Sequence, residues 1–330
     1  MKKGVSMLVL VVFSCVLMGN GRVKGTEGKA ECVMEAHSRR VLYELNGDTR
    51  LPMASTTKIA TAMTVLDICK DLQEEVTVPA EAEGVEGSSV YLKQGEKYSV
   101  NDLLYGLMLR SGNDCATALA LHFTGNIGAF SAKMNETAKK AGALHTNFQN
   151  PHGLPAKGHY TTARDLSAIT CNAMENQAFR QIVSTKYYSP RHWQNKNKML
   201  ERYEGAIGVK TGYTKEAGRC LVSAAERDGM TLICTLLNCP TTYERTCELF
   251  DDAFFAYRMV KLLSVGEEFS VDSQIGRVRE EFAYPLLEGE KEAVEYHVQP
   301  AKVAHDKEII GVLEITLAKR LLFSTNLYKL

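Results

Sequence analysis

Residues 53–63 read MASTTKIATAM, which puts a serine one helical turn before a lysine at the mouth of an apolar run. Two readings compete here. In the first, Ser55 caps a helix, Lys58 lies on its wet face, and Ile59, Ala62, Met63 and Leu66 form a buried stripe at i, i+3, i+4 and i+7 spacing. In the second, Ser55 and Lys58 are held together to do chemistry. Short motifs recur by chance, so the rest of the chain has to decide.

A length of 330 residues predicts about two domains, each able to bury its own core. Hydrophobic residues at 45% and charged residues at 24% describe an ordinary globular protein. Lys plus Arg and Asp plus Glu both total 39, so no net charge points to nucleic acid or an anionic membrane as a partner.

Residues 1–30 have a different texture. Lys2 and Lys3 precede an apolar run from Val5 to Met18, the positive and apolar regions of a secretory signal peptide, and the run is short for a bilayer span. Residues 19–30 suit a cleavage region, although no clean A-x-A site is visible. Lipidation at Cys15 has little support, because Phe13 is bulky and Val16, Leu17 and Met18 continue the apolar run. The chain is therefore expected to be exported and to act outside the cytoplasm.

Eight cysteines follow that region, and they sit singly inside apolar runs such as LDICKDL and LICTLLNC, where cysteine behaves as a small hydrophobe. No C-x-x-C pair and no His pair at metal spacing occurs, so neither a zinc site nor a cofactor is expected. A two-residue turn at Asp228-Gly229 would pair Arg227 with Met230 and set Cys234 opposite Ser223. Cys220 and Cys239 would then be diagonal neighbours on one sheet face, roughly 7 Å apart and too distant for a disulfide, with Cys234 on the other face. These three are expected to be free thiols.

Along the chain, CVMEA and RVLYEL read as a hairpin closed by Ser38-Arg39-Arg40. Helical patterns follow from Ser55, over 101–110, 115–123, 128–141 and 162–176. AIGVKTGYT, GRCLVSAAE and MTLICTLLN are β-rich, and YERTCELFDDAFFAYRM returns to helix. This order predicts one sheet built from both ends of the segment and covered by helices. After about residue 260 short β segments and turn residues predict a second, small all-β domain.

Three features stand in chain order: Ser55-Thr56-Thr57-Lys58 opens a helix, Ser111-Gly112-Asn113 fills a loop, and Lys210-Thr211-Gly212 lies on a strand. S-x-x-K and K-T-G each occur once. Each sits in the structural context its chemistry needs, which turns the reading of Ser55 towards catalysis. A serine hydroxyl attacks poorly until a neighbouring base takes its proton, and i, i+3 spacing brings Lys58 within reach. Lys58 can act so only when neutral; the second cation, Lys210, and partial burial would both lower its pKa. The Ser55 amide at a helix N-terminus and the Tyr213 amide on an edge strand can bind a developing oxyanion. The same strand offers a ladder to an extended peptide, and Gly212 leaves room for its close approach.

ASTTKIATA, LLYGLMLRSGNDCATALA, NPHGL…TTARDL, GVKTGYT…AG and LVSAAERDGMTLI resemble the landmarks of the penicillin-recognising serine acyltransferases, and most closely the low-molecular-mass D-alanyl-D-alanine carboxypeptidases. The likeness covers roughly residues 32–258. It implies an α/β fold, a serine β-lactamase/DD-peptidase-like domain over 31–258 in which an antiparallel sheet is covered by helices and joined by a helical subdomain. A small all-β, sandwich-like domain over 259–330 would follow. It also implies Ser55 as acylated nucleophile, Lys58 as its base and Ser111 as proton relay to the leaving D-alanine. Asn113 would bind the peptide amide, and Lys210 and Thr211 the terminal carboxylate, with the amides of Ser55 and Tyr213 as oxyanion hole. The implied partners are a peptidoglycan stem peptide ending in D-Ala-D-Ala and β-lactams as covalent inhibitors, with a role in cell-wall biogenesis and cell shape.

Two departures narrow this reading. Gly112 replaces the Asp of the S-D-N found in class A β-lactamases, and no E-x-x-L-N lies between Asn113 and Lys210, which argues against a fast β-lactamase. A β-lactam-binding receptor without turnover stays as the alternative from another class. The chain stops at Leu330 on a β-like pattern, so the amphipathic C-terminal membrane anchor of many such carboxypeptidases is not expected. His152, Asp165 and Asp114 are lesser candidates, each with a structural reading as turn residue or helix cap.

Overall fold

The computed structural model describes residues 27–301 and 308–330. Residues 1–26 of the expected signal region, Cys15 among them, lie outside the described residues.

The hairpin β1 (Ala30–Glu35) and β2 (Val41–Leu45) forms as expected. Its turn is held by the Glu35 carboxylate, which accepts from the Ser38 amide and hydroxyl, both at 2.7 Å. Helix α1 (Lys58–Ile68) follows, and then the short strands β3 (Glu75–Thr77) and β4 (Lys97–Ser99), which pair with each other. The stretch 101–110, expected as one helix, divides into α2 (Val100–Tyr105) and a π-type turn over Gly106–Arg110. That turn ends on Ser111 in the left-handed region at φ 64°. Helices α3 (Asn113–Thr124), α4 (Ile127–Lys140) and α5 (Ala163–Glu175) match their sequence patterns, with Asn126 and Thr162 capping the last two. Residues 177–202 add elements that periodicity did not show: α6 (Gln177–Ser184), β5 (Tyr187–Tyr188), β6 (Trp193–Gln194) and α7 (Met199–Arg202). These are too short for a repeating pattern to register.

Strands β7 (Ala206–Thr214), β8 (Gly218–Arg227) and β9 (Met230–Leu237) join the first hairpin in one antiparallel sheet of order β2-β1-β9-β8-β7. The sheet is thus built from both ends of the segment, with β7 on its edge. Alternate residues face opposite cores. Cys220, Val222 and Ala224 pack with the helices α1 to α6, whereas Leu221, Leu232 and Cys234 pack with Phe250 and Phe254 of α8 (Thr242–Ala256). Burial on both faces explains why β8 and β9 read as nearly continuous apolar runs.

The β8–β9 register is the expected one: Arg227 pairs with Met230 and Ser223 with Cys234, around a turn with positive φ at both Asp228 and Gly229. One expectation fails. Cys239 does not share a face with Cys220, because β9 ends at Leu237, Asn238 turns the chain at φ 52°, and Cys239 enters the core on the α8 side. None of the eight cysteines among the described residues is joined in a disulfide.

The remaining chain is all-β. Strands β10 (Tyr257–Leu263) and β13 (Phe282–Leu287) pair with each other. Strands β11 (Glu268–Val271), β12 (Gln274–Arg277), β14 (Val294–Pro300), β15 (Ile309–Leu317) and β16 (Arg320–Lys329) form a sheet of order β11-β12-β16-β15-β14. A separate apolar cluster around Leu263, Leu286, Leu313, Ile315 and Leu327 fills this unit. Arg40 ties it to the first hairpin, donating to the Pro285 carbonyl at 2.6 Å and to both Glu290 oxygens at 2.7 and 2.9 Å. Among the described residues no helix is long and apolar enough to cross a membrane.

Candidate active site

The serine–lysine segment is a single 3₁₀ turn, Ala54–Thr57, running into α1 at Lys58. Ser55 caps nothing: neither the turn nor α1 has a side-chain cap. Nor is Lys58 on a wet face. It is 0% exposed, and residues 58–65 are buried on every side, because α1 runs through the middle of the helical layer rather than along its surface. In place of the one-sided stripe of the capping reading, residues 58–65 have no solvent face.

Three groups meet the Lys58 Nζ: Ser55 Oγ at 3.1 Å, Asn113 Oδ1 at 2.6 Å and the His152 carbonyl at 2.7 Å. Asn113 is oriented by its own second bond, from Nδ2 to the Glu86 carbonyl at 2.5 Å. Both Asn113 Oδ1 and the His152 carbonyl can only accept. A neutral amine has two hydrogens to donate and one lone pair. With both hydrogens given to these two acceptors, the lone pair is left for the Ser55 hydroxyl. Burial, and then the positive charge of Lys210, holds the Lys58 pKa well below the usual lysine range, which favours this neutral form.

Asn113 is set by the chain around it. Its backbone amide donates to the Ser88 carbonyl at 2.7 Å, so residues 86–88 grip both ends of the side chain's residue. Asp114 fixes the continuation of this loop: its carboxylate accepts from Ser89 Oγ at 2.5 Å, Val90 N at 3.0 Å and Leu92 N at 3.1 Å. Asp114 thus neither faces the cleft nor serves only as a cap.

Strand β7 comes in from the other side. Gly212 lies so close to the serine turn that an added Cβ would sit 3.1 Å from the Met53 carbonyl and 3.2 Å from the amides of Ser55 and Thr56. Lys210, 2% exposed, donates to the Thr211 carbonyl at 2.9 Å, and burial pushes its ammonium down to about 7, with Lys196 adding to the effect. Ser55, Ser111, Thr211, Gly212 and Tyr213 line one open cleft of about 280 Å³. Lys196 and Arg219 also line it, and among the described residues no Asp or Glu does, which suits an anionic substrate end.

The lesser candidates sort by contact. His152 acts through its carbonyl; its ring, pushed down to about 3 chiefly by burial, stays neutral and accepts from the Leu154 amide at 3.2 Å. Asp165 holds His145 and Thr146 through bonds of 2.6 and 2.8 Å rather than the His152 loop, and Thr162 is the cap of that helix. Asn135, within a glycosylation-like triplet, bonds the Phe148 backbone in both directions. Sequence reasoning missed the Glu86–Leu92 loop, whose Gly- and Ser-rich run was the available signal, and it missed Thr57 and His159, which had none.

Residues 22–241 match the family model described as D-alanyl-D-alanine carboxypeptidase. The D-alanyl-D-alanine carboxypeptidase DacF of Bacillus subtilis is 31% identical over 245 residues, covering 70% of this chain and 63% of that protein. The D-alanyl-D-alanine carboxypeptidase of Streptomyces sp. strain K15 is 40% identical over 219 residues, covering 59% of this chain and 75% of that one. Penicillin binding protein 5 from Haemophilus influenzae superposes with a TM-score of 0.79 at 27% identity, covering 94% of this chain and 98% of that one. A buried lysine bonded to a serine, an open cleft along an edge strand and these likenesses converge, and the chain belongs to the D-alanyl-D-alanine carboxypeptidase family of penicillin-binding serine peptidases.

Proposed function

We propose that this protein removes the terminal D-alanine from peptidoglycan stem peptides through an acyl-enzyme at Ser55. The observation that carries the reading is the hydrogen-bond count at Lys58, whose two obligate acceptors leave its lone pair to the serine. In the acylation step Lys58 Nζ takes the Ser55 proton, and Oγ bonds to the carbonyl carbon of the penultimate D-alanine. The developing oxyanion is met by the amides of Ser55 and Tyr213. As the C–N bond breaks, Ser111 passes a proton to the leaving amine. Water then attacks the ester and releases the shortened peptide. Lys210 and Thr211 receive the terminal carboxylate. Asn113 has one amide hydrogen uncommitted to Glu86 or Lys58, and that hydrogen serves the substrate amide.

Residues 31–258 form the catalytic unit in this reading, and residues 259–330 an appended one. The basic and apolar residues 2–18 support export, and a cell-envelope substrate requires it. β-Lactams would trap Ser55 by the same attack. The test is incubation with a peptide ending in D-Ala-D-Ala and assay of free D-alanine, alongside labelling by a fluorescent penicillin. Release of D-alanine together with loss of labelling in Ser55→Ala is the expected result. Labelling that persists in Ser55→Ala, or acylation by penicillin with no D-alanine released, would overturn the assignment.

A further inference from the structure

The loop from Gln149 to His159 is fastened to the serine–lysine turn at several points. The His152 carbonyl accepts from Lys58 at 2.7 Å, and the Pro151 carbonyl accepts from Thr61 Oγ1 at 2.6 Å. Gly153, at φ 92°, lies where a Cβ would overlap the Ala54 carbonyl. The remaining tie is His159. Its Nδ1 accepts from the Gln149 amide at 3.0 Å, which leaves the hydrogen on Nε2, and Nε2 lies 2.9 Å from Thr57 Oγ1. One ring therefore bridges the base of the loop and the residue just before Lys58. His159 is 7% exposed and its ring meets Phe148 in an edge contact, so packing holds it as well as the bonds at both nitrogens.

We propose that His159 is a positioning residue for acylation: its bond to Thr57 fixes the loop that sets the His152 carbonyl on Lys58, and so decides where the lysine lone pair points. This rests on the reading of Lys58 as base. His159 touches neither the nucleophile nor Lys58. It acts through two steps of structure, and displacements of about 1 Å at a reacting group can cost roughly 10²-fold in rate. Burial pushes the imidazole down to about 4, so it remains neutral at working pH and keeps one donor and one acceptor nitrogen.

The test is stopped-flow acylation of the full chain by a fluorescent penicillin, resolving the initial dissociation constant from the acylation rate constant. His159→Leu is expected to lower the rate constant at least ~10-fold while the dissociation constant stays within about 2-fold. His159→Gln, whose amide can still donate to Thr57, is expected to recover to within about 3-fold of the parent. Thr57→Val, which removes the acceptor instead, is expected to reproduce the Leu defect, and it decides the matter if His159→Leu fails to fold. A parental rate constant per titrated site in folded His159→Leu or Thr57→Val would overturn the proposal, whatever their melting temperatures. So would equal defects in the Leu and Gln variants. Lys58→Ala serves as the separate arm: normal acylation there would sink the base assignment itself, whereas a dead Lys58→Ala beside a normal His159→Leu would sink only the role of His159.

Discussion

Lys58 Nζ lies 2.6 Å from Asn113 Oδ1, a bond between residues 55 apart that joins the first helix of the helical layer to the start of α3. Through Asn113 the lysine is tied to the Glu86 carbonyl, and through the Ser88 carbonyl and Asp114 to the whole loop from Glu86 to Leu92. The orientation of the Lys58 amine thus depends on a carboxylate, Asp114, that makes no hydrogen bond to it.

Asp114→Ala should show this dependence. The variant leaves the Ser89 hydroxyl and the amides of Val90 and Leu92 without their acceptor. A loss of about 3 kcal/mol in folding stability is expected, the order for breaking a buried charged network. Amide hydrogen exchange should rise first in residues 86–92, and acylation should slow with it. Parental exchange in that loop would refute the clamp.

Lys210 gives a pH signature. Its folded pKa is about 7 against 10.5 for the free side chain, so between those values the unfolded chain holds a proton that the folded one has released. Stability from this residue therefore rises with pH across that window, by up to about 1.4 kcal/mol per unit, and is flat below it. Urea unfolding of Lys210→Met should show a gain over the parent near pH 7.5 that shrinks by at least ~1 kcal/mol at pH 9.5. A gain that does not change with pH would mean that Lys210 titrates normally in the fold.

Gly212→Ala tests the approach of β7 to the turn that carries Ser55. The new methyl meets only backbone, the Met53 carbonyl and the Ser55 and Thr56 amides, so strand and turn must part by a few tenths of an ångström. Acylation by penicillin should fall about 10-fold, with a melting temperature within a few degrees of the parent, since β7 is an edge strand. Unchanged acylation would show that the spacing between β7 and the serine turn does not limit the reaction.

A chain ending at residue 258 should still acylate. Every group around Lys58 and the cleft lies upstream, and the appended unit has its own apolar cluster. Its removal costs the Arg40–Glu290 and Arg40–Pro285 bonds, so a lower melting temperature is expected together with a near-parental acylation rate. Loss of acylation in a folded truncated chain would assign the β domain a part in shaping the cleft.

What the sequence alone determined about this protein is the part written in local code. Helical periodicity, the β-rich runs and the Asp228-Gly229 turn define the elements and the β8–β9 register, because each depends on residues within a few positions of one another. The ordered serine–lysine, serine–asparagine and lysine–threonine–glycine motifs likewise marked the cleft, since catalysis demands particular residue types at short spacing. Tertiary structure decided the rest. Whether α1 had a wet face depended on how many layers the chain laid over it, and Cys239 changed faces because one residue, Asn238, turned the strand's end. The acceptors that orient Lys58 come from 55 and 94 residues away, and the ring that steadies them bonds across 102. Contacts at such separations have no period and no spacing in the sequence; only the path of the folded backbone brings them together.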